Sequence, residues 1–218
     1  DQHARRVIAY EALQQPNGLT PARLIVAYDT VTAQSPVFYS NGARDGYVLE
    51  SSEGSNRGGS SNSNLAMFYV GDDGSDKQYR SILHFDTTLP PSAVITSVVL
   101  KIKQQMIQGT NPFTTHGNLL VSIKNPSFGN LTLAKSDFEA DADIMSAAMV
   151  DPEPSNDGWY HAELYTIALP YINRNGTTQF KLSFMKDDDD DQTADYISFW
   201  SGDDATNKPQ LIITYYLP

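Results

Sequence analysis

The sequence predicts an all-β chain, an antiparallel β-sandwich of the jelly-roll kind with one or two short helices. Three observations carry this: runs that alternate apolar and polar residues with period two, clusters of Gly, Asp, Asn and Pro between those runs, and little helical periodicity. In residues 97–103, Val98, Leu100 and Ile102 alternate with positions that end in Lys101 and Lys103, so one face of the strand packs and the other is wet. Residues 79–86, 119–124, 180–184 and 211–216 read the same way. Turn-forming stretches separate them at 71–76, 89–91, 108–112, 173–176 and 202–204. Many short strands between such turns are the pattern of a sandwich or jelly roll. Helical signal is confined to two places. Ser136 and Glu139 have the spacing of a capping box, which predicts a short helix starting there. A second short helix is expected from Tyr165 towards Ile172, limited by Pro170. Neither is long enough to cross over between parallel strands.

Composition bounds the function. Asp and Glu number 26 against 15 Lys and Arg, a net charge of −11, and such a surface repels the phosphate backbones that basic patches attract. Nucleic acid is therefore not expected as a partner. Hydrophobic residues make up 40% of the chain, which is ample for one core. The absence of cysteine excludes disulfides, thiolate catalysis and Cys-based metal sites. No apolar run approaches the roughly 18 residues that span a bilayer, so no membrane span is expected. The opening residues Asp1 to Arg6 lack a following signal-type apolar segment, and the chain reads as soluble and processed. Abundant Tyr, Thr, Ser, Asn, Asp and Gly beside only 19% charged residues suggests an exported bacterial β-protein, extracellular or at the cell surface.

The chain also echoes itself. Residues 6–10, a polar turn and residues 21–28 mirror residues 196–200, a polar turn and residues 209–215. Residues 1–32 therefore read as the last strands of a preceding repeat or as an added hairpin, and residues 33–218 as the β-sandwich module. Two strands alone cannot bury a face, so residues 1–32 are expected to pack on this module or to mediate self-association with another chain.

Catalytic signatures are missing. His3, His84, His116 and His161 are isolated in sequence, and none lies in a metalloprotease pattern. No Ser occupies a nucleophile elbow and no glycine-rich loop opens a helix. The chain is expected not to be an enzyme. His84, between Leu83 and Phe85, is expected on the solvent face of its strand, and His116 and His161 as polar strand or loop residues. The Asp187 to Asp191 run followed by Asp195 is the strongest ligand candidate, because adjacent carboxylates repel one another unless a hard cation screens them. Asp187, Asp189 and Asp191 recur at every second position, a spacing that can turn side chains onto one calcium ion, and Asp195 joins them as a fourth expected ligand. The EF-hand glycine is absent, so a loop-type structural calcium site is expected.

Sugar binding needs aromatic faces for pyranose C–H groups and polar side chains for hydroxyls. Tyr39, Tyr47, Tyr69, Tyr79, Trp159, Tyr160, Tyr196 and Trp200 supply the aromatics. Trp159, with Tyr160 beside it, and Trp200 lie at strand ends next to loops and are the named candidates for sugar contact.

The order and spacing of several strands resemble one family. Asp45-Gly46-Tyr47-Val48, the turn at 56–60, Tyr69-Val70-Gly71-Asp72, residues 79–86, Leu89-Pro90, residues 93–100, Gly158-Trp159-Tyr160 and the closing residues 209–215 together resemble the DNRLRE domain. This disaggregatase-related family comprises carbohydrate-binding modules of secreted, multidomain bacterial and archaeal proteins. The resemblance covers about residues 42–216. It implies a jelly-roll sandwich that binds polysaccharide, or acts as a non-catalytic spacer, in a larger secreted or surface protein. Asp45 and Arg80 fall on its signature positions and are expected to be structural, as a buried pair. The alternative expectation is a structural repeat of a surface fibre or adhesin that assembles by strand addition through residues 1–32.

Overall fold

The computed structural model describes residues 31–218, so the strands expected within residues 6–28 and their echo lie outside the described residues. Ala33 to Pro218 form one unit. Strands hold 45% of the residues and helices 7%, and every strand pairing is antiparallel, as the alternating pattern predicts.

Twelve strands form one continuous sheet that curls over on itself. In chain order they are β1 (Val37–Tyr39), β2 (Gly46–Glu50), β3 (Gly58–Asn62), β4 (Met67–Asp72), β5 (Gln78–Thr88), β6 (Val94–Gln108), β7 (Leu119–Lys124), β8 (Ile144–Met149), β9 (Trp159–Glu163), β10 (Asn175–Phe184), β11 (Tyr196–Trp200) and β12 (Gln210–Tyr216). The main path runs β1-β12-β6-β11-β4-β5-β10-β7-β8, with β2 and β3 added beside β5 and β9 beside β6. The 15-residue β6 links the two halves: its first part pairs with β12 and β9, and its last part pairs with β11 across a register shift.

Alternation decides what is inside. Val98, Leu100 and Ile102 of β6, Phe68 and Val70 of β4, Leu83 and Phe85 of β5, Phe180, Leu182 and Phe184 of β10, and Ile197 and Phe199 of β11 meet in the main core. A second, smaller core of Val48, Ile82, Phe128, Leu133 and Phe138 lies on the other face of β2 and β5, under the long β7–β8 connection.

The helices are minimal. One turn, α1 (Pro112–Thr115), starts with Pro at its first position, and its N-cap Asn111 side chain accepts the Phe113 N–H at 3.1 Å. The segment Thr166–Tyr171 is a 3-10 helix that contains Pro170. The capping box expected from Ser136 and Glu139 does not form. A single 3-10 turn spans Lys135–Asp137, the Asp137 carboxylate accepts the Ala134 N–H, and Glu139 instead accepts the Gly58 N–H of β3. A tertiary partner thus outcompetes the local cap. No helix among the described residues is long and apolar enough to cross a membrane.

Candidate functional site

Two neighbouring features carry chemistry. The first is an aromatic patch where β2, β4, β5 and β11 meet. Phe68, Val70, Ile197 and Phe199 point into the main core, so Tyr69 and Tyr196 point to the opposite face, whereas Val48 packs in the second core and its neighbour Tyr47 turns to the other side of β2, against the main core. Tyr79 of β5 joins them, opposite Gly71. Five of the six pairs among the four half-buried rings are in contact: Tyr47–Tyr69 at 4.7 Å, Tyr69–Tyr196 at 5.0 Å, Tyr47–Tyr79 and Tyr69–Tyr79 at 5.4 Å, and Tyr79–Tyr196 at 5.8 Å between centroids. Their planes are inclined by 46° to 84°, so the patch is ridged. Burial, reinforced by the crowding of their hydroxyls, raises the phenols of Tyr47, Tyr69 and Tyr79 above their ordinary value. They are neutral hydrogen-bonding tips at neutral pH. Trp200 continues the same face of β11, opposite Met67, and remains half-buried at the edge of the patch.

The other aromatic candidates are placed differently. Tyr160 is 2% exposed; its ring stacks on Phe113 and meets Phe199 edge-on, and its hydroxyl donates to Gln104. It is a core residue and presents no face to a sugar. Trp159 lies on the opposite side of β9, but Lys101 and Lys103 lie over its ring, with ammonium groups 5.1 and 5.8 Å from the centroid. The tyrosine patch was legible in the sequence, in tyrosines at alternate positions beside core Val and Phe, but only the pairing of four strands brings those tyrosines together.

The second feature is an acidic corner at the end of β4 and the start of β11. Asp189, Asp191 and Asp195 bring one carboxylate oxygen each within 4.8 Å of one another. Asp187 is exposed, feels the Arg80 charge and stands outside this group, so the expected alternation of 187, 189 and 191 onto one ion does not occur. The reason is local: Asp190 and Gln192 adopt left-handed backbone conformations, which break the period of two. Asp76 anchors the loop by accepting the Gln192 N–H at 2.9 Å. Two residues missed by sequence reasoning complete the corner. Asp72 and His116 are both fully buried, and Asp72 Oδ1 lies 3.4 Å from His116 Nε2. Asp72 and Asp195 clasp each other: the Asp195 N–H donates to Asp72 Oδ1 and the Asp72 N–H donates to the Asp195 carbonyl. Asp195 Oδ1 also accepts the Thr110 N–H at 2.6 Å. Gly71 and Gly109, both with positive φ, make room for this approach, since a Cβ on either would collide with the Asp195 backbone or carboxylate region. Burial is the main force raising the Asp189 carboxyl, with Asp191 next.

The signature pair does not form. Asp45 accepts the Ser40 hydroxyl at 2.6 Å and the Gly202 N–H at 2.8 Å, and burial pushes it up to about 6. Arg80 instead donates to the Phe138 carbonyl and the Asn56 side chain and lies over the Phe138 ring at 3.9 Å. It clamps the β7–β8 connection over the second core, a structural role with a different partner. Lys181 does the same from β10, donating to the Phe138 and Ala140 carbonyls. These two cations floor an open cleft of about 370 Å3, rimmed by Met145 and Met185. Their hydrogen bonds to protein carbonyls leave them poorly placed to hold an anionic ligand.

His84 is buried, contrary to the expected solvent face. Leu83 and Phe85 do face the core, but residues 40–45 cover the other side of β5. There His84 meets Gln179 at 3.2 Å, Asp86 at 3.2 Å, Arg44 at 3.3 Å and Thr177 at 3.4 Å. Burial lowers its pKa, so it is neutral at neutral pH. The sequence matches no protein-family model, and no curated protein is significantly similar to it.

Proposed function

We propose that the protein is a non-catalytic carbohydrate-binding module that works outside the cell or at its surface, and that the tyrosine patch of Tyr47, Tyr69, Tyr79 and Tyr196 is its binding face. The observation that carries this reading is four half-buried tyrosines linked by ring contacts where four strands meet. The exposed parts of the rings offer C–H/π surface and the phenols offer donors and acceptors, which is the chemistry of a sugar ring. The tilt of the rings argues for the class of ligand. A crystalline polysaccharide requires coplanar rings, whereas ridged rings suit a single glycan chain lying between them. The acidic net charge favours a neutral glycan over a uronic acid polymer. The resemblance of residues 42–216 to the DNRLRE domain supports the same reading.

The test is a glycan array followed by affinity electrophoresis in gels containing the best-bound polysaccharide. Tyr69→Ala and Tyr196→Ala should each weaken retardation severalfold while leaving the melting temperature within a few degrees. Retardation unchanged in both variants would overturn the placement of the site.

A further inference from the structure

The acidic corner contains four buried side-chain atoms with no hydrogen-bond partner: Asp72 Oδ2, His116 Nε2, Asp189 Oδ1 and Asp195 Oδ2. Buried polar atoms of this kind are normally partnered, and unpaired buried carboxylates are among the costliest groups to enclose. Here they gather. Asp189 feels the negative charges of Asp191, Asp195 and Asp72 together. Among the described residues, no Lys or Arg makes an ion pair with any of these four aspartates.

Other atoms of the same side chains are already held by the protein. Asp72 Oδ1 accepts the Asp195 N–H, and Asp195 Oδ1 accepts the Thr110 N–H. His116 Nδ1 lies 2.7 Å from the Thr115 hydroxyl, which holds the ring with Nε2 3.4 Å from Asp72 Oδ1. An imidazole whose other nitrogen is held by an oxygen is the arrangement that orients a metal-ligating histidine. Asp191 stands at the exposed side, where it accepts the Thr193 N–H and can close the site.

We propose that this corner, where Asp189, Asp191 and Asp195 already lie within 4.8 Å of one another, binds one divalent cation that also draws in the unpaired Asp72 Oδ2 and His116 Nε2, and that the nitrogen ligand selects a first-row transition ion, Mn(II) or Zn(II), over calcium. Calcium is held by oxygen alone in its usual sites, whereas a mixed imidazole and carboxylate set suits a borderline ion. The ligands come from three separate parts of the chain: the end of β4, the residue after α1 and the β10–β11 loop. A bound ion would therefore tie together the segments at the root of Tyr79 and Tyr196. The inference stands on the unpaired atoms and does not depend on the sugar reading.

The test is isothermal titration of untagged, chelator-stripped full chain with MnCl2, ZnCl2 and CaCl2 in separate runs. The expected result is one saturable site for Mn(II) or Zn(II), with calcium at least about tenfold weaker. Asp189→Asn, a change on the loop, should reduce that affinity at least tenfold. Pulsed EPR of the Mn(II)-loaded wild-type chain should show nitrogen coupling from the imidazole, which reads His116 as a ligand without disturbing the fold. No saturable binding, calcium binding tighter than both transition ions, or a Mn(II) spectrum without nitrogen coupling would each overturn the proposal.

Discussion

Two regions of the molecule bury a histidine beside carboxylates, and they resolve the problem in opposite ways. Around His84, each ring nitrogen has a partner from the protein, and Ser40 connects the network to Asp45. One oxygen there, Asp45 Oδ1, is left unpaired, and burial raises that carboxyl to about 6, so a proton occupies it only in mildly acidic solution. Around His116, four atoms are unpaired within one acidic corner. The comparison teaches that burial of a titratable group says little by itself. A network closed by its own hydrogen bonds is structure, whereas one left open with several free atoms in the same corner has room for a ligand.

The largest expected effect separates the two regions directly. Saturating the stripped chain with Mn(II) at about a hundredfold over its Kd should stabilise it by roughly 2.7 kcal/mol, a rise of several degrees in melting temperature. His84→Ala should keep that increment, because its network lies apart from the corner. His116→Ala should lose it. Calorimetry on the three chains checks this, and loss of the increment in His84→Ala would break the comparison.

Next is the proton at Asp45. Its carboxyl titrates at about 6 in the folded chain against 3.8 in the reference state, so the folded chain binds the proton more tightly. The stability from this group is therefore fully present below pH 4 and is lost as pH rises through 6, an effect on the order of 2 kcal/mol. Asp45→Asn should remove that fall and raise the melting temperature at pH 7. Parallel pH profiles for the two chains would show that another group carries the dependence.

His84→Ala itself should cost about 1.5 kcal/mol, since it leaves Gln179 and Thr177 without their partner. Urea denaturation reads it through the midpoint, and the cost should be the same with and without cation.

What the sequence made legible follows the same division. Strand cores were legible because alternation is local: Val98, Leu100 and Ile102 are buried as their spacing requires, and residues 119–124 form β7 with those bounds. Polar burial was not legible, because the covering chain comes from elsewhere. His84 is enclosed by residues 40–45, and His116 meets Asp72 across 44 positions of sequence. The acidic run pointed to Asp189, Asp191 and Asp195 but also to Asp187, since no sequence rule placed left-handed residues at Asp190 and Gln192. Trp159 and Tyr160 were misjudged for a related reason. A strand end beside a turn can still face the core or lie under lysines of the neighbouring strand, and register alone decides which.

The smallest effect concerns affinity. Each of Tyr69→Ala and Tyr196→Ala should remove about 1 kcal/mol of sugar binding, close to a fivefold change in Kd. The most direct test of the binding face uses no variant. Backbone amide shifts of the labelled chain are followed as the best-bound oligosaccharide from the glycan array is titrated in. Shifts centred on Tyr47, Tyr69, Tyr79 and Tyr196 are the predicted result. Shifts centred instead on the cleft over Arg80 and Lys181, or no shifts with any oligosaccharide, would contradict it.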